Sequence, residues 1–350
     1  MLDKRNYELD YIRELQIKYE RDPLLLERVL FAFGLLEAIK RVGMPFVFKG
    51  GTSLMLLLSH PMRLSTDIDI IVEPGTDIDY YIEEANKLFP FKSSQEQIRV
   101  GKNNIEKRHF KFYYDSPLKD DDFYILLDVL FQKNNYTSTV EKPISNDLVQ
   151  VIDPEIFVTV PSINCILGDK LTAFAPHTTG IGFQKSLEVI KQLFDVATLT
   201  DEITSFSEVK DTYRKVIQSE IEYRGIDINA EDALKDTIQA CACIISRGHI
   251  ESEEYPLYLS GITKITGHIF NIKYSGEVAA IDACKVMCLA ACVLANRDEM
   301  VKINNSEDYI TEKISMKEYS KLSYIKKMKL EAYGYLVEAV KIIEREEIKI

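Results

Sequence analysis

Apolar residues change their spacing along this chain, and each change predicts a different element. Leu26, Val29, Leu30, Phe33, Leu36 and Ile39 recur at helical period behind Asp22-Pro23, a suitable N-cap and first-turn pair. Helix is therefore predicted over most of residues 3–42. Residues 44–72 read as strand, turn, helix and strand. Phe46-Val47-Phe48 is apolar, Gly50-Gly51-Thr52-Ser53 is a turn, Leu54 to Leu58 is helix-like, and Ile68-Asp69-Ile70-Ile71-Val72 is β-rich. Asp77 to Leu88 is amphipathic and predicts a helix ending at Pro90. Strands are predicted at 97–101, 107–115 and 123–131. The last is a long apolar run broken by Asp128 alone, a pattern that fits a central strand buried on both faces. Short strands and turns follow over 132–163, punctuated by Pro143, Pro154 and Pro161.

Beyond Pro161 the β pattern stops. Ile163 to Phe174 reads as helix, 175–182 as an exposed loop, and the helical period then continues from Ser186 to the end of the chain. This predicts an α+β protein with an α/β domain over 1–163 and an all-helical domain over 164–350. A chain of 350 residues can bury two cores.

Composition narrows the class. Apolar content of 46% and charged content of 28% are ordinary for a globular protein. The first residues are strongly charged, unlike a signal peptide, and the most apolar later run, Val286 to Ala295, is too short to span a bilayer. A cytoplasmic protein with no membrane partner is the expectation. Cys284, Cys288 and Cys292 recur at helical spacing in an alanine-rich segment and read as small core residues, not as metal ligands or disulfide partners. The net charge of −12 excludes a protein that grips nucleic acid by bulk electrostatics, so any such contact must be local. Two local basic stretches exist. One runs from Arg99 through Lys102 to Lys107-Arg108-His109-Phe110-Lys111. The other runs from Lys313 to Lys329, where Lys313, Lys317 and Lys321 would share a helix face.

The chemistry concentrates in Gly50-Gly51-Thr52-Ser53 and in Arg63-Leu64-Ser65-Thr66-Asp67-Ile68-Asp69-Ile70. Glycines at a turn before a helix let backbone N–H groups approach a phosphate, and the helix N-terminus favours negative charge. Strand periodicity puts Asp67 and Asp69 on one face, where paired carboxylates suit Mg²⁺ or Mn²⁺. A third carboxylate is supplied by Asp128, which would be costly to bury uncompensated among apolar neighbours. Ser53 is equally suited to a phosphate or to capping the helix, and Arg63 to a phosphate or a core carboxylate. A loop histidine, His177, has no partner visible in the sequence and reads as polar surface.

Gly-Gly-Thr-Ser-Leu followed by Arg-Leu-Ser-Thr-Asp-Ile-Asp-Ile resembles the signature of the AbiEii/AbiGii toxin family, within the polymerase-β-like nucleotidyltransferase superfamily. Leu64 and Ile70 are conservative departures from the usual family residues. Leu167-Gly168-Asp169-Lys170-Leu171-Thr172-Ala173-Phe174 resembles the family's lysine-bearing helix. Lys191-Gln192-Leu193-Phe194-Asp195-Val196 resembles its later aspartate segment, with Gln192 in place of a common charged residue. The resemblance covers about residues 30–200. It implies a polymerase-β-like core, a mixed sheet with flanking helices, whose cleft the helical domain completes. Gly50, Gly51, Thr52 and Ser53 would hold the nucleotide's phosphates, and Asp67, Asp69 and Asp128 would bind the metal. Lys170 would reach the triphosphate or leaving pyrophosphate, Lys191 would also bind the nucleotide, and Asp195 would support the site or position Lys170. It further implies transfer of a nucleotide from an NTP, in some members onto the 3′ end of tRNA, and a cognate antitoxin, commonly with a winged-helix domain. Two rival readings stay open on the residues: the same fold acting on a protein or small-molecule hydroxyl, and a catalytically inert nucleotide-binding module.

Overall fold

The computed structural model describes residues 1–97, 106–270 and 272–349. The predicted strand at 97–101 and the first part of the basic stretch, Arg99 to Lys102, lie largely outside the described residues. By its contacts the chain divides into two units, Met1–Ser162 with Gly267–Asn271, and Ile163–Thr266 with Ile272–Ile350.

The first unit opens with α1 (Leu9–Tyr19) and α2 (Pro23–Arg41). Helix α2 starts where its sequence demands: the Asp22 carboxylate accepts from the Leu24 N–H at 2.8 Å, and Pro23 fills the first turn. There follow β1 (Val47–Lys49), α3 (Gly50–Leu57), β2 (Ile68–Val72), α4 (Asp79–Asn86), β3 (Phe91–Glu96), β4 (Lys107–Asp115) and β5 (Asp122–Phe131). Among the described residues these strands form a mixed five-stranded sheet in the order β1-β2-β5-β4-β3, with β2 and β5 parallel and the other pairs antiparallel. Strand β3 was not foreseen, because Phe91-Lys-Ser-Ser-Gln-Glu96 is a polar edge strand with little apolar alternation. A separate pair, β6 (Thr139–Pro143) and β7 (Phe157–Pro161), is antiparallel.

Helices α2 and α4 cover one face of the large sheet. Phe110, Phe112 and Tyr114 of β4 and Ile125, Leu127 and Val129 of β5 point into that core. Glu27 of α2 is buried there and accepts from the Tyr114 hydroxyl at 3.1 Å and the Ser116 hydroxyl at 2.9 Å. Burial raises its carboxyl above the usual range, against these hydrogen bonds. The other face of β5 is not buried. Tyr124, Leu126, Asp128 and Leu130 are exposed to half-buried, which corrects the expectation of a strand covered on both sides. The run of apolar residues reflects a central position in the sheet, while its second face carries polar neighbours from β4 and β2.

The second unit is helical: α5 (Ile163–Ala173), α6 (Ser186–Thr200), α7 (Phe206–Arg224), α8 (Ala230–Ser246), α9 (Tyr255–Ile265), α10 (Gly276–Leu294) and α11 (Leu330–Arg345). Helix α10 packs against α6, α8 and α11. Ala279, Ala280, Ala283, Cys284, Cys288, Ala290, Ala291 and Cys292 are all fully buried, so small side chains line the contacts of this helix. The six cysteines are free and buried, and for Cys284, Cys288 and Cys292 burial is what their spacing predicted. The lysine stripe is not formed. Lys313 precedes the helical turns, and Lys317–Lys327 is a run of 3-10 turns, in which positions four apart do not stack. No helix among the described residues is long and apolar enough to cross a membrane.

Candidate active site

The site in the first unit is assembled by strand register. Asp69 of β2 lies opposite Asp128 of the parallel strand β5, where neighbouring strands run about 4.8 Å apart. Asp69 is also the register partner of Lys49 in β1, and Asp128 that of His109 in β4. One row across the sheet therefore reads Lys49, Asp69, Asp128, His109. Asp67 stands one residue before β2, exposed, on the same side of the alternation as Asp69.

Gly50 takes φ +82°, a left-handed conformation that L side chains rarely adopt, and a Cβ there would lie 2.1 Å from Asp69 Oδ2. The backbone thus reaches over the Asp69 carboxylate through a space that any other residue would fill. A Cβ on Gly51 would meet the Arg63 guanidinium at 2.5 Å and Ser65 Oγ at 2.9 Å. Gly50 to Ser53 are not a free turn before a helix, since they form the first turn of α3 itself. Ser53 is consequently not the N-cap. It is buried and its hydroxyl donates to the Gly50 carbonyl at 2.9 Å. Thr52 is buried too, and its hydroxyl donates to the Asp67 carbonyl at 2.6 Å, tying α3 to the approach of β2. Arg63 is buried and donates to the Leu64 carbonyl at 3.2 Å.

Asp128, like Asp69, is half-buried, and its Oδ1 lies 2.6 Å from His109 Nδ1. His109 belonged to a basic stretch in the sequence, and nothing in that context marked it as the partner of an aspartate on the next strand. As placed, no three His, Cys, Asp or Glu side chains among the described residues converge closely enough to hold a metal ion. The donor set is nevertheless that of a hard divalent cation: carboxylate oxygens on adjacent strands, with the Asp69 carboxylate seated where a side chain on residue 50 would otherwise stand. Two like charges facing each other across a ladder repel, and a cation between them would remove that cost.

The second unit holds the other predicted residues. Lys170 of α5 is buried; its Nζ lies 2.9 Å from Asp195 Oδ2 of α6 and donates to Gln192 Oε1 at 3.1 Å. Asp195 is buried as well. Gln192, the departure from the family pattern, thus serves as a neutral acceptor for Lys170. Lys191 pairs instead with Glu188 at 2.9 Å on its own helix. His177 is no bare surface residue. Its N–H and Nδ1 bind Asp236 at 2.8 and 2.7 Å, its Nε2 lies 2.7 Å from Glu254, and the neighbouring Thr178 hydroxyl donates to Asp236 at 2.8 Å. Burial works against its imidazolium, but the two carboxylates prevail and raise its pKa above the ordinary value.

A mixed sheet that brings carboxylates from parallel neighbours beside a glycine-opened helix is the core of a nucleotidyltransferase, and the chain is such an enzyme. It belongs to the family described as "Nucleotidyl transferase AbiEii toxin, Type IV TA system", whose model matches residues 35–243. Solved structures resemble it distantly. JHP933 from Helicobacter pylori is 13% identical with a TM-score of 0.45, over 77% of this chain and 93% of that one. A second H. pylori protein, described as a candidate nucleotidyltransferase, is 14% identical with a TM-score of 0.41, over 77% of this chain and 96% of that one. No curated protein matches the sequence.

Proposed function

We propose that this nucleotidyltransferase is the toxin of a toxin–antitoxin pair acting in phage defence. In this reading it transfers a nucleoside monophosphate from an NTP to the 3′-hydroxyl of a tRNA, in a Mg²⁺- or Mn²⁺-dependent reaction. The observation that carries the reading is the register pair Asp69–Asp128, with the Asp69 carboxylate packed against Gly50 where no side chain could fit. Asp67, Asp69 and Asp128 would hold the metal, which would supply charge neutralisation at the phosphates. The remaining steps fall to the chain. The positive end of α3 and the Gly50-Gly51 backbone favour the anionic phosphates. Asp128 accepts the proton of the attacking hydroxyl as its oxygen bonds to the α-phosphorus and the bond to the β-phosphate breaks, releasing pyrophosphate. Lys170 and Asp195, paired within the second unit, are proposed as a second pair essential to transfer.

A nucleic-acid acceptor is supported by the open face of the sheet. On it Tyr124 lies four residues along β5 from Asp128, about 13 Å at strand rise. The Lys111 ammonium sits 4.2 Å over the Tyr124 ring, and Tyr113 packs edge-on against that ring at 5.8 Å. Aromatic rings beside a cation suit the stacking of unpaired bases, which needs no basic protein overall. The test is incubation with labelled NTPs and total cellular RNA. Label is expected in small RNA with the wild type and is abolished by Asp67→Ala, Asp69→Ala or Lys170→Ala, together with growth inhibition. Full toxicity in either aspartate variant would sink the mechanism. Label in protein or in a metabolite would reassign the acceptor, which the net charge of −12 makes the natural second reading. A neighbouring gene for a small winged-helix protein is the expected sign of the antitoxin.

A further inference from the structure

His109 and Asp128 are held opposite each other by the β4–β5 ladder, so their approach is set by backbone pairing and not by chance rotamers. The contact of 2.6 Å is short, and both side chains are largely withdrawn from solvent, at 14% and 29% exposed. An ionised carboxylate can only accept, so the proton of this bond sits on His109 Nδ1. Oδ1 of Asp128 thereby accepts from His109, which favours one orientation of the carboxylate.

We propose that His109 is a positioning residue for nucleotidyl transfer: it orients the Asp128 carboxylate through Oδ1 and leaves Oδ2 for the metal and the attacking hydroxyl. The inference rests on the reading of Asp128 as the third carboxylate of the site. Its physical basis is preorganisation. An aspartate on a half-exposed strand rotates about two torsions, and a transferring group must meet one orientation of it. Outer hydrogen-bond partners of ligating groups do this work in metal sites, and losing one typically costs 10- to 100-fold in affinity or activity.

The test compares His109→Leu, which removes the donor, with His109→Asn, whose amide N–H can stand near the position of Nδ1. His109→Leu is expected to lower kcat about 10- to 100-fold, with the KM for NTP within about twofold of wild type. It is also expected to weaken Mn²⁺ binding, read by electron paramagnetic resonance of the free ion, about tenfold. His109→Asn should restore most of both. A downfield Nδ1 proton resonance in the wild type that vanishes in Asp128→Asn reads the same bond without changing position 109, and covers the case in which His109→Leu does not fold. Equal behaviour of the Leu and Asn variants in kcat and in Mn²⁺ binding overturns the inference, as does Asp128→Asn with undiminished transfer. An inactive wild type that still shows the expected Mn²⁺ losses would remove the transferase reading and leave the positioning role standing. An active wild type, a dead Asp128→Asn and an unimpaired His109→Leu would do the reverse.

Discussion

Gly50 and Gly43 share a positive φ and differ in what surrounds them, which separates two costs of adding a side chain. Gly43 has φ +81° with nothing within 4 Å of an added Cβ, whereas at Gly50 the added atom strikes Asp69 Oδ2. Gly43→Ala should therefore cost only the left-handed backbone penalty, about 1–2 kcal/mol, and leave transfer intact. Gly50→Ala should cost more in a urea melt and abolish transfer, because Asp69 must leave its place in the row. Equal melts and full activity in both variants would show that the approach over Asp69 has no role. The hydroxyls beside this glycine act differently. Thr52 donates to the Asp67 carbonyl and so holds α3 against the approach to β2, while Ser53 donates to the Gly50 carbonyl within the first turn of α3. The glycine pair and Asp-x-Asp were legible in the sequence as residue types. Their geometry was not, because a φ angle and a distance of closest approach depend on where α3 lies against the sheet.

Individual elements are held together by charged pairs that the sequence did not reveal. His177 joins the 175–182 loop to Asp236 of α8 and to Glu254, just ahead of α9. Its pKa is raised in the folded state, so its contribution to stability is complete below the unfolded value of about 6.5 and is lost as pH rises through the folded value. His177→Gln should lower Tm clearly at pH 6 and far less at pH 9. A pH-independent loss in thermal melts would assign the residue a packing role alone. Lys170 and Asp195 form the corresponding buried pair between α5 and α6. The resemblance to a family pointed to both residues, but only packing shows them bound to each other and shared with Gln192. The helix starts were easier to read. Asp22-Pro23 opened α2 at its predicted place, because a cap is a contact within a few residues. The lysine stripe failed for the opposite reason. Helical spacing of lysines does not make a helix, and this segment of the second unit is wound in 3-10 turns.

For the whole molecule, the least expected feature is the short segment Gly267–Asn271, which follows α9 in the chain yet belongs to the first unit. Ile269 bridges to Arg63, the Leu64 N–H donates to the His268 carbonyl at 2.8 Å, and the Phe270 N–H donates to the Met62 carbonyl at 3.1 Å. Ile269 and Phe270 are buried, and the Phe270 ring packs edge-on against Tyr19 at 5.2 Å. These contacts brace the segment that leads into Asp67. A fragment of residues 1–162 should accordingly melt at least about 5 °C below the same fragment carrying residues 267–270 on a flexible linker, since each buried side chain is worth roughly 1.5–3 kcal/mol. Equal melting temperatures would show that the brace adds nothing to the first unit. The family match ends at residue 243, inside α8, so this segment lies beyond the part of the chain the family describes.

By itself the sequence determined the elements with strong local signals: the capped start of α2, strand β4, strand β5 and the change to helical period after Pro161. It also determined the residue types of the site. These rest on periodicity and on contacts a few residues long. Only the tertiary structure decided that Asp128 faces Asp69 and that His109 holds Asp128. It likewise decided that Gly50 lies over a carboxylate and that residues 268–270 pair with the Arg63 segment. The reason is register. Each of these meetings joins residues far apart in the chain, and a slip of one position in any ladder would turn every side chain of that strand to the other face.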